Sequence, residues 1–303
     1  MQRRTVAGFT LLSVLFAMSA HADESLFGYN YGAETMPEGR LEWVNTLTHR
    51  WDKELGHYRA DELMTELEYG VTDRLTLAGY LMFLDIKHEG AFPRTAEDGE
   101  VLYPDRDGSY FRGAKFNLKY NLLSPYLNDG FGLALMVEPS YITRFKVDGS
   151  ETKQWEVELG ALLQQNLLDD QWVLTANTIV ARERRVLVED DGFVEHEWEF
   201  YQTLGASWRL TSNWYAGLEA RHHMDVLKND DGDFKKNQYS TFVGPNLHYA
   251  QKDWWLTATF FKQVRGNPPY ARSVGEIDGG ADNGLHLDEN EKYEFRLKVG
   301  YEY

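Results

Sequence analysis

The last eleven residues, Tyr293-Glu294-Phe295-Arg296-Leu297-Lys298-Val299-Gly300-Tyr301-Glu302-Tyr303, alternate strictly. Tyr293, Phe295, Leu297, Val299, Tyr301 and Tyr303 make one wholly apolar face, while Glu294, Arg296, Lys298, Gly300 and Glu302 make the other, nearly all charged. A period of two is that of a β-strand, whose successive side chains point to opposite faces. A soluble sheet would turn the apolar face to a core and the charged face to bulk water. A membrane barrel turns the apolar face to lipid and lines its interior with the other. The number and spacing of further segments of this kind decide between the two.

Twelve segments carry the pattern, at 40–49, 60–70, 74–86, 111–122, 131–145, 154–165, 172–183, 196–209, 214–226, 238–249, 254–264 and 292–303. Their apolar faces include Leu63-Leu67-Tyr69, Ala114-Phe116-Leu118-Tyr120-Leu122, Trp155-Val157-Leu159-Ala161-Leu163 and Trp198-Phe200-Leu204-Ala206-Trp208, with aromatics gathered at segment ends. The third, seventh and eleventh segments are apolar on both faces, which leaves their phase open. Beyond residue 40 there is almost no 3.6-residue period. Odd-to-even joins are mostly long and acidic, notably 87–110, 184–195, 227–237 and 265–291, whereas even-to-odd joins such as 70–74, 210–213 and 250–253 are short. A sandwich has no reason to alternate its loop lengths; outer-membrane barrels do, with tight periplasmic turns and long outside loops. The expected fold is all-β: a closed antiparallel transmembrane barrel of about twelve strands, both termini on the periplasmic side.

The N-terminus carries an address. Arg3 and Arg4, an apolar stretch from Val6 to Met18 and the Ala20-His21-Ala22 site have the layout of a secretory signal peptide over 1–22, cut near Ala22. Residues 23–39 then form a periplasmic segment that plugs or tethers, and 40–303 the barrel. The 303 residues carry a formal charge of −17, no Cys, and 14% aromatics at a mean hydropathy of −0.52. The absence of Cys excludes disulfide scaffolds, Cys-ligated zinc, iron–sulfur clusters and thiol catalysis; the acidity argues against nucleic acid as a partner. Alternating strands and acidic loops average to a negative hydropathy even in a chain that spans a membrane.

Tyr303, an aromatic last residue on an alternating strand, resembles the signal by which outer-membrane barrels are recognised for assembly, where Phe is usual. The hairpin Glu66-Leu67-Glu68-Tyr69-Gly70-Val71-Thr72-Asp73-Arg74-Leu75-Thr76-Leu77 is similar to one in poorly characterised Gram-negative barrel families, among them the outer-membrane family of the meta pathway of phenol degradation. The resemblance implies outer-membrane localisation and a channel, with membrane lipid, lipopolysaccharide and the barrel-assembly machinery as partners.

Twelve strands tilted by about 45° give a backbone cylinder of roughly 13 Å radius, so inward side chains decide whether a passage remains. The alternation predicts an inward set of Glu66, Glu68, Lys115, Lys119, Glu138, Arg144, Glu156, Glu158, Glu197, Glu199, Glu219, Arg221, Asp225, Arg296 and Lys298. Buried charges must be paired or wet. Glu66 and Glu68 are expected to reach Arg296 and Lys298 across the first strand. The acid excess on the sixth and eighth strands favours cations or neutral solutes over anions. A barrel whose interior ion pairs merely fill it, serving structure or partner binding, is the alternative.

The long loops 87–110 and 265–291 are candidates for an inward-folded constriction. The turns Asp105-Arg106-Asp107-Gly108, Asp190-Asp191-Gly192 and Asn229-Asp230-Asp231-Gly232-Asp233 could hold divalent cations, without the spacing of a full calcium loop. No other cofactor is implied. A lipid-modifying enzyme is a third reading: His223 and Asp225 share an inward face, at a spacing that allows direct contact only through bent side chains, and Ser207 and Ser240 lie inward on neighbouring strands. No phosphate-loop, nucleophile-elbow, zinc-protease or dinucleotide motif is present, and the expectation is a protein without catalysis.

Overall fold

The computed structural model describes residues 25–53, 55–92, 94–95, 103–228, 232–267, 277–278 and 284–303. The signal-peptide reading of 1–22 lies outside the described residues. The strands are β1 (Leu41–Trp51), β2 (His57–Thr72), β3 (Leu75–Glu89), β4 (Arg94–Thr95), β5 (Arg106–Leu123), β6 (Phe131–Arg144), β7 (Glu151–Leu167), β8 (Trp172–Leu187), β9 (Phe193–Arg209), β10 (Trp214–Lys228), β11 (Phe234–Ala250), β12 (Trp254–Gly266), β13 (Ile277–Asp278) and β14 (Tyr293–Glu302). Twelve of them close into one antiparallel barrel in the order β1-β14-β12-β11-β10-β9-β8-β7-β6-β5-β3-β2. The short β4 and β13 pair with each other, Thr95 opposite Ile277 and Arg94 opposite Asp278, so the two longest connections are clipped together.

Closure rests on the C-terminal strand. β14 pairs with β1 from Glu302 opposite Glu42 to Tyr293 opposite Trp51, and Tyr303 N–H donates to the Leu41 carbonyl at 2.8 Å. Every strand of the ring therefore has two neighbours, and no edge is left to satisfy.

Outside, the wall is apolar. Leu67, Leu81, Phe116, Leu135, Leu159, Leu204, Leu218 and Leu247 all point out and are exposed, as are Trp198 and Trp208 near the two ends of β9. Ten residues at 3.4 Å per residue, tilted by about 40°, set those tryptophans about 26 Å apart along the barrel axis, the height of a hydrocarbon band. Stacked Trp172 and Trp208 and the Trp214–Tyr249–Trp254 group ring the end with short turns.

At the opposite end the strands outrun the alternation. Segments 184–195 and 227–237, expected as loops, are largely strand, since β8 reaches Leu187 before β9 starts at Phe193, and β10 reaches Lys228 before β11 starts at Phe234. Beyond the apolar band the outward face meets water, so Arg184 and His196 face out opposite each other while Glu183, Arg185 and Glu197 face in. Backbone pairing continues there without the apolar signal. Only the connections after β3 and β12 remain long.

Candidate functional site

All fifteen residues of the predicted inward set share the inward parity of their strands, the side on which their buried neighbours lie. The structure adds Glu42, Arg50, Glu62, Arg112, Glu183, Arg185 and Glu294, all buried on the same side. Glu183 and Arg185 sit on the phase-ambiguous β8, and Arg112 follows a register shift in β5 that parity counting does not see.

The turn-end half of the lumen is lined by residues 25–37 rather than by water alone. This segment follows the inner wall as a hoop, meeting the strands in their order around the ring. Thr35 Oγ1 donates to the Asp73 carbonyl at 2.8 Å in the β2–β3 turn, and Met36 N–H to Thr76 Oγ1 of β3 at 2.8 Å. Asn121 of β5 donates to the Ala33 carbonyl, and Ala33 N–H to Gln164 Oε1 of β7 at 2.8 Å. Asn177 of β8 takes both backbone groups of Tyr31. Asn246 of β11 and Thr257 of β12 donate to the carbonyls of Leu26 and Ser25, and Lys298 of β14 to Ser25 Oγ at 2.7 Å. Extended backbone cannot pair with itself, so short amide and hydroxyl side chains of the wall take the place of a neighbouring strand.

The anchor is Glu219 of β10, 1% exposed. Its carboxylate accepts the N–H groups of Gly28 at 2.9 Å, Tyr29 at 2.8 Å and Asn30 at 3.2 Å, and also Asn30 Nδ2, Asn246 Nδ2 and Thr259 Oγ1. Gly28 is required by space: a Cβ there would stand 2.5 Å from Thr259 Oγ1. The Tyr29 ring stacks on Phe261 at 4.3 Å, its hydroxyl donates to Glu294 at 2.7 Å, and the Arg296 and Arg221 guanidinium groups lie 3.8 and 4.9 Å from its centroid. The signals for this lining were present in the run Gly28-Tyr29-Asn30-Tyr31-Gly32 and in the inward Gly205, where a Cβ would meet the Phe27 ring at 2.7 Å.

The loop-end half is filled differently. Ala91 and Phe92 after β3, and Phe145 and Val147 after β6, pack with Tyr58, Ala60, Leu84 and Ile86 into an apolar cluster, with Tyr103 and Tyr110 against it. Beside it residues 284–292 fold inward, with Lys53 Nζ 4.6 Å from the Tyr58 ring centroid. Lys53, between β1 and β2, donates to the carbonyls of Leu287 at 3.3 Å, Asp288 at 2.8 Å and Asn290 at 2.8 Å. Burial pulls its pKa down to about 8, against the opposing pull of Glu291 and Asp288. Gln263 of β12 binds both backbone groups of His286 and the Glu291 carbonyl. His286 is buried with Nδ1 against the Asn267 carbonyl and no partner at Nε2, and burial holds its pKa down at about 4. Glu97, Asp98, Glu100, the 268–270 run, Glu276 and Asp282 of the two long loops lie outside the described residues.

Beside the hoop lies an open space bordered by Tyr29, Arg50, Glu62, Lys115, Glu156 and Glu199 among others. Its charges come in sets. Lys115 joins Glu138 at 2.8 Å and Glu158 at 3.4 Å; Glu62 joins Arg112 at 2.9 Å and Arg50 at 3.4 Å; Arg185 joins Glu195, Glu183 and Glu197; Arg221 joins Glu294. Glu66, Glu68, Arg296 and Lys298 border one space under the hoop; Arg296 donates to Thr48 and the Gly28 carbonyl. The Asp190–Gly192 run closes the β8–β9 turn, with Asp191 and Gly192 in left-handed conformations and Gly192 N–H bonded to Leu187. Asp107 pairs with Lys87 at 3.1 Å, and residues 229–231 lie outside the described set.

His223 and Asp225 do meet, Nε2 to Oδ1 at 2.5 Å, with Glu199 Oε2 at 3.1 Å from the same nitrogen. No nucleophile joins them among the described residues. Ser207 stands six residues along β9 from Tyr201, the register partner of His223, about 20 Å away at strand rise. Ser240 faces His223 across the sheet, but its Oγ is buried without a hydrogen bond.

A closed twelve-stranded barrel with an apolar outer band, a charged interior and a chain segment laid along its inner wall defines a membrane-spanning barrel of outer-membrane type. The chain belongs to the family of unknown function DUF6662, which it matches over residues 19–303. Comparison with curated protein sequences gives no match. Among solved structures it is similar to the COG4313 outer membrane channel from Pseudomonas putida F1, with a TM-score of 0.59 at 13% identity over 89% of this chain and 98% of that one. It is also similar to the β domain of the Bordetella autotransporter BrkA, with a TM-score of 0.50 at 14% identity over 88% and 100%, and to the NanC porin, with 0.47 at 10% over 86% and 98%. At these identities the likeness is one of fold.

Proposed function

We propose that the protein is an outer-membrane channel for small cationic or neutral polar solutes, narrowed on the periplasmic side by the hoop and covered on the outer side by the infold. The observation that carries this reading is the open space at mid-barrel, walled by acidic and basic side chains. A barrel filled for stability alone would close that volume, since burying charge without water is costly. Acids outnumber bases on the inward faces of β7 to β9, where Glu156, Glu158, Glu183, Glu197 and Glu199 stand against Arg185; a passage there favours cations. The short turns at the end that holds the termini support a periplasmic position for them, and Tyr303 on the closing strand is the feature that assembly machinery would read. The connections after β3 and β12 would meet lipopolysaccharide.

The competing reading, a non-conducting barrel, is favoured by the hoop and infold occupying both halves of the lumen. Planar-bilayer recording on the full-length refolded protein separates the two. The native barrel should pass small, infrequent currents, a variant lacking 25–36 should conduct several-fold more, and Glu156→Gln with Glu158→Gln should lower cation preference. Silence from both the native barrel and the deletion variant sinks the channel.

A further inference from the structure

We infer that the inward corner where β7, β8, β9 and β10 meet binds one divalent transition-metal ion, with His223, Asp225 and Glu199 as ligands and Glu156 and Glu183 beside them. The inference rests on side-chain geometry and would hold in a barrel that conducts nothing.

The register itself sets up the problem that a cation solves. It places Glu138 opposite Glu158, Glu156 opposite Glu183, Glu183 opposite Glu197 and Glu199 opposite Asp225. Like charges directly opposite on one face repel. Lys115 lies between the first pair and Arg185 between the third. Between Glu156 and Glu183 the bridge is a neutral amide, Gln154 Nε2, at 3.0 and 2.6 Å. Between Glu199 and Asp225 stands His223, a ligand type in its own right.

Two groups of donor atoms overlap at Glu199. The ligand atoms of Glu199, His223 and Asp225 lie within 4.8 Å of one another, and so do those of Glu156, Glu183 and Glu199. A cation bound at about 2.0–2.2 Å holds its donors no more than about 4.4 Å apart, so closure needs only small side-chain adjustments. The contacts of the carboxylates point the same way. Asp225 is 3% exposed; Gln238 donates to its Oδ2 at 2.6 Å, whereas Oδ1 is directed at His223 Nε2, 2.5 Å away, inside the cluster. Glu183, equally buried, has Oε1 3.3 Å from Arg185 Nε.

Outer contacts already orient the ligands, as metal sites require. Tyr201 stacks on the His223 ring at 4.2 Å with 4° between planes, and its hydroxyl donates to Glu199. The cation would replace the proton that His223 Nε2 now shares with the two carboxylates, releasing it to solvent. One imidazole among carboxylates suits zinc, manganese or ferrous iron better than magnesium or calcium. Glu156, Glu199 and His223 border open space, so an ion entering the lumen can reach them.

The test is titration of the full-length folded barrel in detergent, after chelator treatment, with Zn²⁺ by calorimetry and Mn²⁺ by loss of its free electron-spin signal. The expected result is one saturable site per barrel for both ions, weakened at least tenfold in His223→Ala and in the near-isosteric Asp225→Asn. Asp190→Asn with Asp191→Asn should leave it unchanged. Folding of each variant is checked by heat-modifiable gel mobility. Absence of a saturable site in the native barrel, its persistence in both folded site variants, or its loss in the loop variant would overturn the inference. Should one site variant misfold, the other and the native barrel still decide.

Discussion

At the turn end the wall holds a foreign stretch of chain with an anion; at the loop end it does so with a cation. Glu219 accepts three consecutive backbone N–H groups of the hoop, and Lys53 donates to three backbone carbonyls of the infold. The hoop's remaining bonds go mostly to neutral Asn, Gln and Thr side chains, with Lys298 on Ser25, Arg296 on the Gly28 carbonyl and Glu294 on the Tyr29 hydroxyl besides. The infold is held by Lys53 and carries His286, both with pKa values moved by burial toward the physiological range or below it. The loop end is thus tied to pH through a buried amine and a buried imidazole, although both ends use side chains in place of a missing strand.

Removing the anion should have the largest effect. Glu219→Ala deprives six donors of one acceptor, three of them backbone groups in a buried segment. With about 1 kcal/mol or more per orphaned donor after water enters, a loss of roughly 3–5 kcal/mol in hoop attachment is expected. Hydrogen exchange should speed up at 26–33 and stay unchanged at 285–291. Equal acceleration at both ends would mean that hoop and infold are one cooperative unit.

Acid should act on the other end. His286 has its folded pKa near 4 against an ordinary 6.5, so the folded infold binds fewer protons than the released one. Its contribution is complete above pH 6.5 and is lost as pH falls from 6.5 through 4, on the order of 3 kcal/mol in all. Protease nicking within 284–292 should therefore rise on acidification, and His286→Phe should flatten the dependence. A profile unchanged by that substitution would assign the sensitivity elsewhere. Lys53→Met comes next, at roughly 2 kcal/mol, because three carbonyls lose a donor while a buried amine is also removed. It should loosen 286–291 and leave hoop exchange as it was.

The sequence made the outer surface plain and half of the interior. Alternation set the ring of twelve and the parity of all fifteen inward candidates, because lipid outside and water inside impose a period of two. It was silent where the inside is filled by chain instead of water. The three strands apolar on both faces each have inward apolar side chains packed on chain that fills the lumen: Leu84 and Ile86 of β3 pack on Phe92 and Phe145, Ile179 of β8 packs with Ala33, and Phe261 of β12 stacks on Tyr29. On these strands the ambiguous phase reflects an occupied lumen. Arg112 and the loop-end halves of β8 to β11 escaped for other reasons, a register shift in one case and a solvated outer face in the other.

The smallest effects separate the two ends by mechanism. Gly28→Ala puts a Cβ 2.5 Å from Thr259 Oγ1 and 2.8 Å from Thr259 Cβ, a contact that neither the short side chain nor the Glu219-bound backbone can yield without displacement. Gly284→Ala meets nothing within 4 Å, but its φ of +75° is a conformation that a Cβ disfavours. Both should cost about 1 kcal/mol, the first by overpacking and the second through the backbone. A double-mutant cycle tells them apart. Thr259→Ala should recover part of the Gly28→Ala loss, with a coupling of at least about 0.5 kcal/mol, since the two groups touch. The same change should add to Gly284→Ala without coupling. Coupling in both cycles would mean that a disturbance of the hoop reaches the infold across the open space, and the two ends would then have to be treated as one element.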